Sequence, residues 1–162
     1  MEYVVGDVEI TDIDAFLDAL RSIGADHGAV IQAIDARYVA GEAHLERAVQ
    51  LSMRARERGE AIATDPALEI LLYAAGTRQI EQALELGVSP ETQTVAIVIV
   101  GGDEKHAVRD TQEMVSPLEE LPEPSVEAIC DWFDITERER NATTANLEAL
   151  VCERVALLPI ER

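Results

Sequence analysis

Three arginines on one predicted helix have the spacing needed to follow a phosphate backbone. Arg47, Arg54 and Arg58 are separated by seven and four residues. Because successive residues of an α-helix are rotated by about 100°, these side chains fall within a stripe about 40° wide. A row of guanidinium groups can neutralise successive phosphates of a nucleic acid. The alternative is ordinary surface arginine, paired with local acidic residues such as Glu46 and Glu57.

A second group, Thr77, Arg78 and Gln79, lies where a short helix is predicted to begin. The free backbone N–H groups of a helix N-terminus favour an anion. Arg78 can bind a phosphate through two hydrogen bonds, and Gln79 can contact a base edge. The alternative is that Thr77 only caps the helix while Arg78 pairs with Glu69 or Glu81.

Sequence motifs of the common enzyme classes are absent. The chain has no phosphate-binding glycine loop, no dinucleotide-binding turn and no nucleophile elbow. Asp103, Glu104, His106 and Asp110 are close enough in sequence to suggest a metal, but a solvated loop is the simpler interpretation. The two cysteines and three histidines never fall at zinc-ligand spacing, and reduced core thiols are expected. We therefore expect no catalytic residue, metal, cofactor or small-molecule substrate.

The charge of the chain is strongly acidic but uneven. Its 162 residues include 32 acidic and 13 basic side chains, only one of the latter a lysine, for a net charge of −19. Concentrated salt limits the repulsion within such a surface to about 3 Å at 1 M, so the composition predicts a halophilic archaeal source. An acidic protein from an ordinary cytosol is the alternative. Residues 37–88 have a net charge of only −2, against −7 for 1–36 and −10 for 89–162, which makes this middle segment a candidate surface for a polyanion or an acidic partner.

The hydrophobic pattern predicts an α+β fold. Short β-branched runs predict strands at 3–10, 29–35 and 94–100, and the last is apolar on both faces, as expected inside a sheet. Apolar residues at helical spacing, with caps, predict helices at 11–24, 43–58, 65–76, 77–87 and 147–158. Capping-box patterns at Ser116 and Thr136 predict two more. Because strands and helices do not alternate regularly, we expect helices packed on a small mixed or antiparallel sheet.

Length and hydropathy predict one compact domain spanning residues 1–162. The apolar runs are too short to cross a bilayer, and the first residues are acidic where a signal peptide would be basic. We therefore expect a cytoplasmic protein without membrane contact.

Several segments of this sequence resemble one known family. The most specific is Glu69-Ile-Leu-Leu-Tyr73, which leads into Gly76-Thr-Arg-Gln-Ile80. Supporting similarity runs from about residue 32 to residue 158 and includes Gln32-Ala-Ile-Asp-Ala36, Ala40-Gly41, His44-Leu45 and Glu153-Arg-Val-Ala-Leu-Leu158. The family is the small subunit of the KEOPS tRNA-modification complex, known in animals as the p53-related-protein-kinase-binding protein.

The resemblance implies a compact α/β domain without catalytic activity. Family members bind and stimulate the kinase-like ATPase of the complex, and archaeal members are associated with binding the CCA-bearing 3′ end of tRNA. The complex forms N6-threonylcarbamoyladenosine at position 37 of tRNA, and another subunit makes the transfer. The resemblance thus favours a functional role for Arg78 and the arginine stripe. In strong salt, we expect RNA binding to depend on hydrogen bonds and stacking, with Tyr73 or another exposed ring as a stacking partner.

Two other functions stay open at this level. A partner-only adaptor would bind the ATPase through an apolar helix face without touching RNA, and an exposed leucine or valine on the final helix would indicate it. A metal-dependent hydrolase would use Asp103, His106 and neighbouring acids, and it would hold a divalent ion.

Overall fold

Alternating buried side chains and well-capped amphipathic segments produce helices packed on an antiparallel sheet in the computed structural model, which describes residues 1–159. The strands are β1 (Glu2–Asp7), β2 (Val30–Asp35), β3 (Thr94–Val100) and β4 (Ser116–Pro117). The helices are α1 (Ile13–His27), α2 (Glu42–Glu57), α3 (Pro66–Ala75), α4 (Ile80–Ala83), α5 (Glu104–Gln112), α6 (Val126–Phe133), α7 (Glu137–Asn141) and α8 (Leu147–Leu157), with 3₁₀ turns at Ala36–Tyr38 and Leu84–Leu86. The predicted α+β class is confirmed. No helix within the described residues has the length and apolar character that crossing a membrane requires.

The sheet has the strand order β2-β3-β1-β4, with all neighbours antiparallel. Strand β3 lies inside it, as its apolar sequence predicts, and Ile97 is opposite both Val4 of β1 and Ala33 of β2. Since side chains alternate along a strand, β3 contributes to a core on each face. One core contains Ile97 and helices α1 and α5, and the other contains Val98 and helices α2, α3, α6 and α8.

Most predicted helix ends are confirmed by the capping contacts. Asp65 accepts the N–H of Ala67 at 3.0 Å before Pro66 in the first turn of α3, and Gly76 ends that helix in the left-handed conformation with φ 66°. The hydroxyl of Thr136 accepts the N–H of Glu139 at the start of α7, as a capping box requires.

Two predicted helix boundaries, at Gly24 and at Ser116, are wrong. In each case a contact with another part of the chain accounts for the residue. Helix α1 is capped by Asp12 and not Thr11, and it runs through Gly24 to end before Gly28. Gly24 is a glycine because a Cβ atom there would lie 2.8 Å from the carbonyl oxygen of Ala29. The capping-box pattern at Ser116 does not start a helix either. That residue belongs to the edge strand β4, whose pairing with β1 is continued by the Leu118 N–H donating to the Val5 carbonyl at 2.8 Å.

Helices α2 and α3 are joined by a buried neutral histidine. The Nδ1 atom of His44 accepts the N–H of Ala40 at 3.1 Å, so the proton must be on Nε2, which donates to the carbonyl of Ala74 at 2.8 Å. The ring meets Phe133 of α6 edge-on, with centroids 5.7 Å apart. Complete burial of the side chain lowers the pKa of His44 from 6.5 to about 4.

Because buried His44 resists protonation, we expect the protein to lose stability in mild acid. Between pH 6.5 and about 4 the unfolded chain binds a proton at His44 that the folded chain does not. The contribution of His44 to the free energy of unfolding is therefore complete above pH 6.5, and it declines by roughly 3 kcal/mol as the pH falls to 4. Urea unfolding at pH 7 and pH 4.5 should show a smaller pH effect in His44→Gln than in the wild type. An equal pH effect in the two proteins would contradict the assignment, because the carboxylates and the other histidines titrate in both.

Candidate nucleic-acid and partner interface

Three of the four predicted arginines come together at the end of helix α2. Arg54 lies in the last turn of α2, Arg58 follows that helix, and Arg78 follows the end of α3. They line a cleft of about 60 Å³, here called the arginine cleft, together with Leu51, Ala55, Glu60, Tyr73 and Pro159. Packing of α3 against α2 thus joins the two groups of residues that the sequence singled out separately.

Among the described residues, the guanidinium groups of Arg54, Arg58 and Arg78 have neither an ion-pair partner nor a side-chain hydrogen bond. The predicted alternative, pairing with acidic neighbours such as Glu57 or Glu81, is therefore not what the structure shows. The arginine cleft thus gathers three arginines around a single carboxylate, Glu60, in a chain with a net charge of −19. A group of this kind attracts a polyanion locally while the rest of the surface repels it.

Arg47 lies apart from the arginine cleft. It belongs to the same stripe of α2, but it faces helix α8 near Cys152 and Glu148. Burial and the carboxylate of Glu148 raise the pKa of Cys152, and the positive charge of Arg47 acts in the opposite direction. The stripe therefore continues along the seam between α2 and α8.

Thr77 to Gln79 lead into a helix as predicted, but Gln79 and not Thr77 is its N-cap. Helix α4 is a single turn that begins at Ile80, and Gln79 at its N-cap position makes no side-chain capping bond. The Thr77 hydroxyl accepts the N–H of Gln79 at 3.1 Å and donates to Oε1 of Gln82 at 2.9 Å, so it stabilises the bend after α3. Because one turn aligns few peptide dipoles, this helix end contributes little to anion binding, and the positive charge of the segment is that of Arg78.

Tyr73 is not available as a stacking surface. Its side chain is only 2% exposed and belongs to the core between the sheet and the helices. The stacking prediction for this ring is therefore wrong. An unpaired base at the arginine cleft would instead contact the guanidinium planes, which stack on bases and also donate hydrogen bonds.

The acidic and histidine residues after β3 are explained by local contacts. Asp103 caps helix α5 by accepting the N–H of His106, and this hydrogen bond lowers the pKa of the Asp103 carboxyl. Glu104 accepts the N–H of Gly101 at 2.7 Å, and Asp110 contacts Nε2 of His27 at 2.6 Å. Within residues 1–159 no histidine, cysteine or carboxylate cluster is arranged to hold a metal ion. The hydrolase interpretation thus gains no support from this segment.

Helix α8 exposes a large apolar side chain near its C-terminal end. Leu157 of α8 is 43% exposed, whereas Leu150, Val151 and Val155 face the core. Two residues later, Pro159 lines the arginine cleft. An exposed apolar side chain therefore precedes, by two residues, a residue that lines the arginine cleft.

Comparison with protein families gives a match over most of the chain. A family model described as kinase binding protein CGI-121 covers residues 10–159, which include helices α1 to α8 and the arginine cleft. Comparison with curated proteins found no match.

Proposed function

Because the chain belongs to the CGI-121 family of kinase-binding proteins, we propose that it is the small regulatory subunit of a KEOPS complex. In this role it binds and activates the kinase-like ATPase subunit, and it holds tRNA near the 3′ CCA end through the arginine cleft. It thereby supports formation of N6-threonylcarbamoyladenosine at position 37 of tRNA. Its contribution is binding rather than catalysis. Its acidic surface suits an archaeal cytoplasm with concentrated salt.

The observation that supports tRNA binding is that Arg54, Arg58 and Arg78 line one cleft with a single carboxylate, Glu60, and form no ion pair among the described residues. Each phosphate neutralised on a single strand contributes about 0.7 to the slope of log affinity against log salt. With three such contacts, log affinity falls by about two for each tenfold increase in salt concentration, which is a moderate loss of affinity in strong salt. The remaining affinity then comes from hydrogen bonds and stacking on the guanidinium planes.

A partner-only adaptor is the second candidate function, and the exposure of Leu157 favours it. The two candidates share the ATPase as a partner and differ only in whether RNA is bound. A tRNA-binding measurement on the isolated protein therefore separates them.

The decisive experiment for the ATPase is copurification of the full chain with the kinase-like ATPase of the same organism, in concentrated potassium chloride. We expect a stoichiometric complex with raised ATP hydrolysis, and a further change when tRNA is added. Absence of a complex in native salt would refute the proposed role.

Leu157→Glu tests the surface that contacts the ATPase. A carboxylate at the centre of an apolar contact loses its hydration without gaining a partner, so we expect the affinity for the ATPase to fall at least tenfold, or about 1.4 kcal/mol. Leu118→Glu is the matched control, since Leu118 is 40% exposed but lies beside the edge strand β4. Isothermal titration should show a loss for the first variant only. Equal affinities for the two variants would exclude Leu157 from the interface.

A further inference from the structure

A second groove, on elements that do not line the arginine cleft, contains the only tryptophan of the chain. This tryptophan groove has a volume of about 470 Å³ and lies between the 3₁₀ turn Ala36–Tyr38 and helix α6. Its walls include Arg37, Tyr38, Glu127, Ala128, Asp131 and Trp132. Nothing in the proposed tRNA or ATPase contacts requires it.

The aromatic wall of the tryptophan groove is rigid. The rings of Tyr38 and Trp132 meet edge-on with centroids 5.7 Å apart, and both side chains are half-buried against the core. The indole Nε1–H of Trp132 donates to the carbonyl of Ala75 at 2.9 Å, which fixes the ring relative to α3. A partner can therefore use these rings without ordering them first.

The groove already contains one stacked guanidinium group. The Arg37 guanidinium lies over the Tyr38 ring, 5.3 Å from its centroid. Its charge is balanced by Asp35, whose side chain is almost fully buried and whose Oδ2 accepts from Arg37 at 3.1 Å. The ion pair with Asp35 neutralises the charge of Arg37, so the net charge of the groove depends on its remaining lining residues.

The opposite wall of the groove carries two carboxylates. Glu127 and Asp131 are four residues apart on α6, so they extend from the same side of the helix. Neither has an ion-pair or hydrogen-bond partner for its side chain among residues 1–159. Between them Ala128, which precedes Trp132 by one helical turn, leaves space beside the indole ring.

We propose that the tryptophan groove binds an arginine- or lysine-bearing segment of a partner protein. The cation stacks on Trp132 and pairs with Glu127 and Asp131, which repeats the arrangement already formed inside the protein by Arg37, Tyr38 and Asp35. Phosphates are disfavoured because the two carboxylates would repel them. Trp, Tyr and Arg are also the residues most enriched at the energetic centres of protein interfaces.

The single tryptophan provides a specific reporter, because its indole N–H gives one nitrogen-15 resonance. We would titrate the labelled full chain with the capped peptide Gly-Arg-Gly-Arg-Gly, and separately with the glutamate version of that peptide. The arginine peptide is expected to cause a saturable shift of the indole resonance, and the glutamate peptide is expected to cause none. Absence of a saturable shift with the arginine peptide would overturn the proposal.

Two double variants with the same change in net charge separate the groove from general attraction to an acidic surface. Glu127→Gln/Asp131→Asn should weaken the peptide at least tenfold, whereas Glu119→Gln/Glu120→Gln, at exposed positions after β4, should change it less than twofold. Equal weakening in both would overturn the proposal. So would a shift caused by a single-stranded oligonucleotide but not by the peptide, which would indicate a nucleic-acid site. The resonance spectrum of each variant checks that it is folded.

Discussion

Reversing the charges of Arg54, Arg58 and Arg78 together is expected to weaken tRNA binding at least a hundredfold. Hydrogen bonds to a charged group contribute about 1.5–3 kcal/mol each, so the loss of three exceeds the 2.7 kcal/mol that corresponds to a factor of about one hundred. The introduced carboxylates add repulsion from the phosphates. Folding should be unaffected, since within the described residues these guanidinium groups make no ion pair or side-chain hydrogen bond.

The measurement is fluorescence anisotropy with labelled tRNA, with and without the CCA end, at several salt concentrations. The matched control is Arg109→Glu/Arg138→Glu/Arg140→Glu, which changes the net charge equally at exposed positions on α5 and α7. We expect the control variant to lose less than threefold. An equal loss in the two triple variants would mean that only the overall charge matters, and the arginine cleft would not be the RNA site.

The salt dependence distinguishes direct contact from an indirect effect. If three phosphates are contacted, the slope of log affinity against log salt should fall by about two in the cleft variant. A lower affinity with an unchanged slope would indicate that the arginines do not contact phosphates and that their replacement alters the conformation of the binding surface instead. Arg47→Glu alone should have a smaller effect, since Arg47 faces α8 outside the arginine cleft.

Local sequence patterns predict the elements of this fold well where burial and capping agree. Strand β3 has the predicted bounds, and α3 begins after Asp65 and ends at Gly76 as expected. They fail at Gly24, which is a glycine because the Ala29 carbonyl lies close to it, and at Ser116, which pairs with strand β1 instead of starting a helix. Ala29 lies beyond the end of the helix that contains Gly24, and the β1 strand that pairs with Ser116 is distant in sequence. The spacing of apolar residues along the chain does not predict either contact.

In the candidate site, too, the features that depend on one helix are predicted from the sequence, and those that depend on packing between elements are not. The stripe of Arg54 and Arg58 is a property of one helix, and the sequence predicts it. The approach of Arg78 depends on how α3 packs against α2, and the burial of Tyr73 depends on the same packing, so the sequence predicts neither. The pairing of Tyr38 with Trp132 joins residues from two distant segments and leaves no local pattern at all.

Glu69→Ala is expected to cost roughly 3–5 kcal/mol of unfolding free energy, a large effect for one substitution. Glu69 is fully buried on α3, and its carboxylate accepts the N–H of Ile62 at 2.9 Å and of Ala63 at 2.8 Å. These two bonds hold the segment between α2 and α3. Alanine leaves both donors without a partner and also creates a cavity, and each unpaired buried donor alone costs about 1–3 kcal/mol.

Glu69→Gln separates the hydrogen bonds from the packing. Glutamine keeps the volume and one acceptor oxygen, but its NH₂ group faces a backbone donor, so we expect a loss of about 1–2 kcal/mol. Glu57→Ala, at an exposed position on α2, should stay within about 0.5 kcal/mol of the wild type. Urea unfolding in one salt concentration compares the three variants. Because Glu69 fixes the segment that follows Arg58, the glutamine variant should also bind tRNA less tightly with an unchanged salt slope. Equal unfolding free energies for Glu69→Ala and Glu57→Ala would show that the buried carboxylate does not stabilise this part of the fold.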